Sequence, residues 1–219
     1  MDKRNTKNGA CALICNNWKD ENAAVLVITE DATQKMLDYI GWNKADYLPN
    51  RVEQGGWLVG HYVYDCDGNV QHAEVTHVYL ATNCVGTPVS LDWPAMEDIR
   101  LQRMFFDMKE RLALTDPAAS ENLALIGWFH THPLALDVFL SSTDFQNINR
   151  SFYRPNQFSI VLNPHRLIWK AYRGASGQPC NAIMYLNQAT KSPTKPRKKS
   201  SKRTRKQKRM KYMQKKQRK

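Results

Sequence analysis

Short β-branched runs alternate with stretches of helical periodicity along most of the chain, and this alternation predicts an α/β fold with a mixed sheet. The run "AAVLVITE" (23–30) reads as a strand. In "DATQKMLDYI", which follows, Thr33, Met36, Leu37 and Ile40 fall at i, i+3, i+4 and i+7, a helix whose first turn Asp31 can cap. "GGWLVGHYVYD" (55–65) and "VQHAEVTHVYLAT" (70–82) read as strands joined by "CDGN", whose Asp-Gly step is a hairpin signal. The first of the pair is apolar on both faces, as a covered central strand should be. "TNCVGTPVSLD" reads as loop. Beyond it, Leu101, Met104, Phe105, Met108 and Leu112 mark one face of a long helix with Asp92 and Pro94 as start signals. "LALIGWFHT" is a strand, a helix begins near Ser141, and "QFSIVLN", "RLIWKAYR" and "AIMYL" are further strands. The first ten residues are polar and expected to be loose.

The length, 219 residues, suits one domain with an appendage. Net charge is +12, but it is unevenly placed: residues 191–219 carry 16 Lys and Arg and no acid, which leaves the rest of the chain at about −4. From residue 187 onward there is almost nothing to bury, so 187–219 is expected to be a disordered Lys/Arg-rich tail. The expected organisation is an N-terminal extension (1–22), a domain (23–186) and that tail. No run is long and apolar enough to span a bilayer or form a signal-peptide core, so the expected setting is soluble and intracellular, cytoplasmic or, in a eukaryotic host, nuclear, with no membrane partner. Five scattered cysteines argue against a disulfide framework; Cys11 and Cys15 form a C-x3-C without a second pair, read as bystander thiols before a zinc knuckle.

One stretch carries chemistry. In "GWFHTHPLALDVFLSSTD" (127–144), strand alternation puts Trp128, His130 and His132 on one face, with the imidazoles roughly 7 Å apart. Two imidazoles so placed can close on one metal ion, and a catalytic zinc takes a third protein ligand while leaving a position to water. Asp144 is the natural third ligand, because Pro133 ends the strand and "LSSTD" has the form of a helix start with Ser141 as N-cap. Zinc-activated water needs a base, and Glu53 in "EQGGWLVG" is available, with two glycines beside it that permit close backbone approach. His61, His72, His77 and His165 read as ordinary surface or core histidines; Trp57 and Trp128 read as core, either able to border a groove.

The series E-x-G-G-x-L-x-G, H-x-H-P and S-x-x-D resembles the JAMM (JAB/MPN) metalloproteases, and "GWFHTHP" with "FLSSTD" looks most like their AMSH-type branch. "SIVLNPHR" resembles the strand that follows the site in many members, and the likeness covers roughly residues 24–172. It implies a curved mixed sheet flanked by helices and a zinc-dependent isopeptidase that removes ubiquitin or a ubiquitin-like protein. His130, His132 and Asp144 would be the zinc ligands, Glu53 the general acid/base, and Ser141 an oxyanion contact. One departure stands out: eleven residues, 133–143, separate His132 from Asp144 where the family usually has ten, with Asp137 as the substitute ligand ranked behind Asp144. Other readings are a non-catalytic MPN scaffold or nucleic-acid-associated protein working through the basic tail, and a hydrolase for a different amide such as a sulfur-carrier adduct. The tail itself has three readings: a solvated extension, a nuclear or nucleolar targeting run in a eukaryotic host, or an arm that binds nucleic acid or an acidic partner through residues 191–219.

Overall fold

The computed structural model describes residues 3–5, 11–14, 24–44 and 46–186. The chain divides into two units, Met1–Gln188 and Ala189–Lys219, and every described residue belongs to the first. The expected basic tail and Cys15 of the C-x3-C pair lie outside the described residues.

Ten of the described strands form one mixed sheet. Its strands are β1 (Lys3–Asn5), β2 (Cys11–Ile14), β3 (Leu26–Ile28), β4 (Gly55–Tyr64), β5 (Val70–Leu80), β8 (Ala124–Thr131), β9 (Phe158–Asn163), β10 (Ile168–Arg173), β11 (Gln178–Cys180) and β12 (Ala182–Leu186). Their spatial order is β1-β2-β12-β3-β5-β4-β8-β9-β10-β11. The hairpin expected at Asp67-Gly68 joins β4 to β5, and β4 is central, paired antiparallel with β5 on one side and β8 on the other. Its doubly apolar sequence follows, because both its faces are covered.

Helices supply the covers. α1 (Glu30–Tyr39) buries Ala32, Thr33, Met36 and Leu37 against one sheet face, together with Leu58, Ile126 and Phe129. The opposite face gathers Trp57, Val59 and Trp128 with Leu101 of α2 (Ala95–Thr115) and Ile148 of α4 (Ser142–Ser151). α3 (Pro117–Asn122) turns the chain back into β8. β8 and β9 are parallel neighbours with α4 between them in sequence, the βαβ unit whose strand ends generally carry ligand sites.

Several expectations are corrected. The N-cap of α1 is Thr29, and Asp31 lies within the first turn, where a carboxylate suits the helix dipole. Asp92 is not a start signal for α2, since Pro94 holds the N-cap position. The segment expected as loop forms a two-stranded ribbon, β6 (Val85–Thr87) with β7 (Ser90–Asp92), which contains Asp92. Lys3–Asn5, expected to be loose, pair with β2, and β2 pairs with β12. Among the described residues, no helix is long and apolar enough to cross a membrane.

Candidate metal centre

The three side chains expected as ligands converge at the C-terminal end of β8. His130 Nε2 lies 3.2 Å from His132 Nε2 and 3.2 Å from Asp144 Oδ1, and His132 Nε2 lies 3.9 Å from Asp144 Oδ2. One ligand atom from each falls within 4.8 Å of the others, and all three residues are buried. The imidazole centroids are 5.0 Å apart, closer than strand spacing predicts, and His132 lies just past the strand.

Local structure aims each group. His132 continues the β8–β9 pairing through its N–H to the Leu162 carbonyl, 2.9 Å. Its Nδ1 contacts the Asp137 carbonyl at 2.8 Å, and since a carbonyl only accepts, the proton sits on Nδ1 and the Nε2 lone pair faces the other two ligands. Burial holds the His132 ring below the usual histidine range, so it is neutral at pH 7. Asp144 is fixed by a capping box: Ser141 N–H donates to Asp144 Oδ2 (2.7 Å) and Asp144 N–H donates to Ser141 Oγ (3.2 Å). Burial pushes the Asp144 carboxyl up, but the His130 hydrogen bond and charge and the Ser141 contacts outweigh it and bring it to about 2. Two imidazoles and an ionised carboxylate, buried and mutually oriented, are a donor set that fits a divalent metal ion.

The longer loop between His132 and Asp144 is built rather than slack. Leu134 adopts a left-handed backbone, φ 58°, and its N–H donates to His165 Nδ1 at 3.1 Å. Asn163, fully buried, donates from Nδ2 to the carbonyls of Leu134 (3.0 Å) and Leu136 (2.7 Å), while its Oδ1 accepts from the N–H groups of His165 and Arg166. The Tyr172 hydroxyl donates to the Val138 carbonyl, 3.1 Å. Asp137 itself is not a ligand in this arrangement: its carboxylate is exposed and pairs with Arg166 at 3.4 Å, and only its carbonyl serves the site. His165 was expected to be incidental, yet it anchors this loop.

Glu53 enters from the segment just before β4. The Gln54 N–H donates to Thr131 Oγ1 and the Thr131 N–H donates to the Gln54 carbonyl, both at 2.8 Å, so the residue between the two histidines clamps the residue beside Glu53. A Cβ on Gly56 would run into the Tyr79 carbonyl and the Phe129 ring, which is why a glycine stands there. The β6–β7 ribbon grips from the other side: Glu53 N–H donates to the Thr87 carbonyl at 2.8 Å, and a Cβ on Gly86 would overlap the Glu53 carbonyl. Burial pushes the Glu53 carboxyl up to about 7, with the charge of His130 opposing and that of Asp144 adding.

Glu53, His130, His132, Ser141 and Asp144 line one cleft of about 210 Å³, together with Val89, Leu91, Trp93 and Phe139. Trp128 is both core and cleft wall, as one reading of the sequence allowed; Trp57 is core. Neither His61, His72 nor His77 lines it. A family model described as prokaryotic homologs of the JAB domain matches residues 44–174, a stretch that holds Glu53, both histidines, Ser141 and Asp144. No curated protein matches the chain.

Proposed function

Because the chain belongs to the family of prokaryotic homologs of the JAB domain, we propose that it is a zinc-dependent isopeptidase or peptidase that releases a ubiquitin-like modifier, with His130, His132 and Asp144 as the zinc ligands. The observation that carries the reading is the convergence of these three donors in the cleft that also holds Glu53. When bound, a zinc ion supplies Lewis acidity to polarise an amide carbonyl and acidify water.

The chain's own residues do the rest. A carboxyl near pKa 7 suits a group that must take a proton from water and return one to the leaving amine, and Glu53 is such a group. The Ser141 Oγ accepts from Asp144 N–H, and its hydroxyl hydrogen is left to donate to the oxyanion that forms as the carbonyl is attacked. Capping and oxyanion contact are therefore compatible. An extended chain with small side chains, such as a diglycine terminus, would lie along the cleft walls that Trp93, Trp128 and Phe139 contribute. β7 pairs only with β6 among the described residues, so its other edge offers backbone groups to an added strand. The likeness of "GWFHTHP" and "FLSSTD" to AMSH-type enzymes supports a ubiquitin-like substrate over other amides. The Lys/Arg run 191–219 is read as a separate electrostatic arm for nucleic acid or an acidic partner, its binding falling steeply with salt.

The test is zinc quantification together with cleavage of a panel of ubiquitin-like fusions and sulfur-carrier adducts. About one zinc per chain is expected, with Glu53→Gln keeping the metal and losing cleavage by about 10²- to 10⁴-fold, and His130→Ala losing both. Full activity in Glu53→Gln removes the assigned base; a wild-type chain that holds no zinc leaves the scaffold reading. Deleting residues 191–219 should spare cleavage.

A further inference from the structure

The two histidines of the centre differ in what fixes their rings. A metal-ligating histidine usually donates its second N–H to an acceptor, which sets the ring plane and raises its basicity. His132 does so through the Asp137 carbonyl. His130 does not: its Nδ1 is buried and has no hydrogen-bond partner.

An aromatic surface takes the acceptor's place. The Trp128 indole lies parallel to the His130 ring, with centroids 4.5 Å apart and planes 14° from parallel. Phe152 stacks against the same indole at 5.8 Å, and Trp93 meets it edge-on at 6.3 Å. The indole is also tied by its one polar atom, since Nε1 donates to Ser159 Oγ at 2.7 Å in a buried bond. A plane held by Phe152, Trp93 and Ser159 therefore holds the plane of His130. The indole face is electron-rich, so it also favours the partial positive charge an imidazole gains on binding a cation.

We propose that Trp128 is a positioning residue for His130, performing by stacking what the Asp137 carbonyl performs for His132 by hydrogen bonding. The proposal rests on the metal-centre reading given under Proposed function.

Trp57 provides a matched control. It is directly opposite Trp128 in the β4–β8 register, is equally a core residue of the same cluster, and meets Phe152 edge-on at 6.4 Å rather than stacking on a histidine. The experiment measures zinc affinity by chelator competition, the visible spectrum of the cobalt-substituted protein, and thermal stability. Trp128→Leu is expected to weaken zinc binding by about 10- to 100-fold and to shift the cobalt bands. Trp128→Phe, which keeps an aromatic face, should stay within about threefold of wild type. Trp57→Leu should lose stability comparably while its zinc affinity and cobalt spectrum match wild type. Wild-type zinc binding and spectrum in Trp128→Leu, or an equal loss in Trp57→Leu, overturns the proposal. Should Trp128→Leu fail to fold, Ser159→Ala decides: a shifted cobalt spectrum supports the positioning role, and an unchanged one overturns it. A wild-type chain that binds neither metal sinks the metal-centre reading instead.

Discussion

His130 is set against a wall of aromatic carbon, while His132, two residues on, is set into a loop of backbone carbonyls tied down by polar side chains. The two surroundings constrain different things. A stack fixes the plane of a ring but is indifferent to which nitrogen carries the proton. A carbonyl at 2.8 Å fixes the proton as well, and so dictates which nitrogen is left for a metal. The dry side derives its stiffness from packing that also stabilises the core. The polar side needs each buried carbonyl to be satisfied, because an orphaned one in low dielectric is costly.

The largest expected effect lies on the dry side. Phe152→Ala removes a ring that packs on both Trp57 and Trp128, and should cost about 3 to 5 kcal/mol of stability in urea unfolding. Zinc binding by the folded fraction should weaken less than in Trp128→Leu, since Phe152 acts on His130 only through the indole. The polar side should show the reverse balance. Asn163→Ala removes the side-chain donor to the Leu134 carbonyl, leaves the Leu136 carbonyl only the Arg166 guanidinium, and strips the His165 and Arg166 N–H groups of their acceptor; it is expected to cost about 1 to 3 kcal/mol while weakening zinc by about 10- to 100-fold. Equal zinc affinity in that variant would erase the contrast.

Glu53 sharpens the comparison through pH. Its carboxyl is raised from an ordinary value of 4.5 to about 7, so the folded state holds the proton more tightly than the unfolded chain. Stability is then fully present below about pH 4.5 and is lost as pH rises through 7. Metal-free Glu53→Gln should match wild type near pH 4.5 and exceed it at pH 8 by about 1 to 2 kcal/mol, read from melting curves at the two pH values. A variant less stable than wild type at pH 8 would show that the buried carboxylate is not a burden on the fold. The smallest effect is expected for Asp137→Asn, which keeps the carbonyl that serves His132 and loses only an exposed pair with Arg166. Zinc affinity there should be unchanged to within about twofold, whereas a ligand role for the carboxylate predicts a loss beyond tenfold.

What sequence makes visible, and what it hides, divides along similar lines. The H-x-H-P pattern and the S-x-x-D cap are written in side chains at fixed spacing on a strand and a helix start, and both are where the periodicity puts them. The acceptor for His132 is a backbone carbonyl, which every residue possesses, so no residue type advertises it; Asp137 drew notice for its carboxylate instead. Asn163 reads as a strand-end residue, and only the folded loop reveals four hydrogen bonds to it. The β6–β7 ribbon escapes pattern reading because each strand has three residues, too few for alternation, with Gly86 inside one and Pro88 at the turn. α3 is six residues of mostly polar or small character and has no stripe to detect. The loop turns through a left-handed Leu134, a backbone state that leucine does not signal.

The Thr131–Gln54 clamp has a kinetic corollary. It joins positions 77 apart in the chain, across the β4–β8 pairing, whose connection contains the hairpin, the ribbon and the long helix. Closing such a span is entropically costly, so Glu53 comes beside His130, His132 and Asp144 only when that non-local pairing forms. An unfolded or half-formed chain has two histidines and an aspartate but no chelate. With zinc held as proposed, metal uptake by a refolding chain would track formation of the β4–β8 pairing, and a chelator would lower stability by RT ln(1 + M/Kd), where M is the free metal concentration.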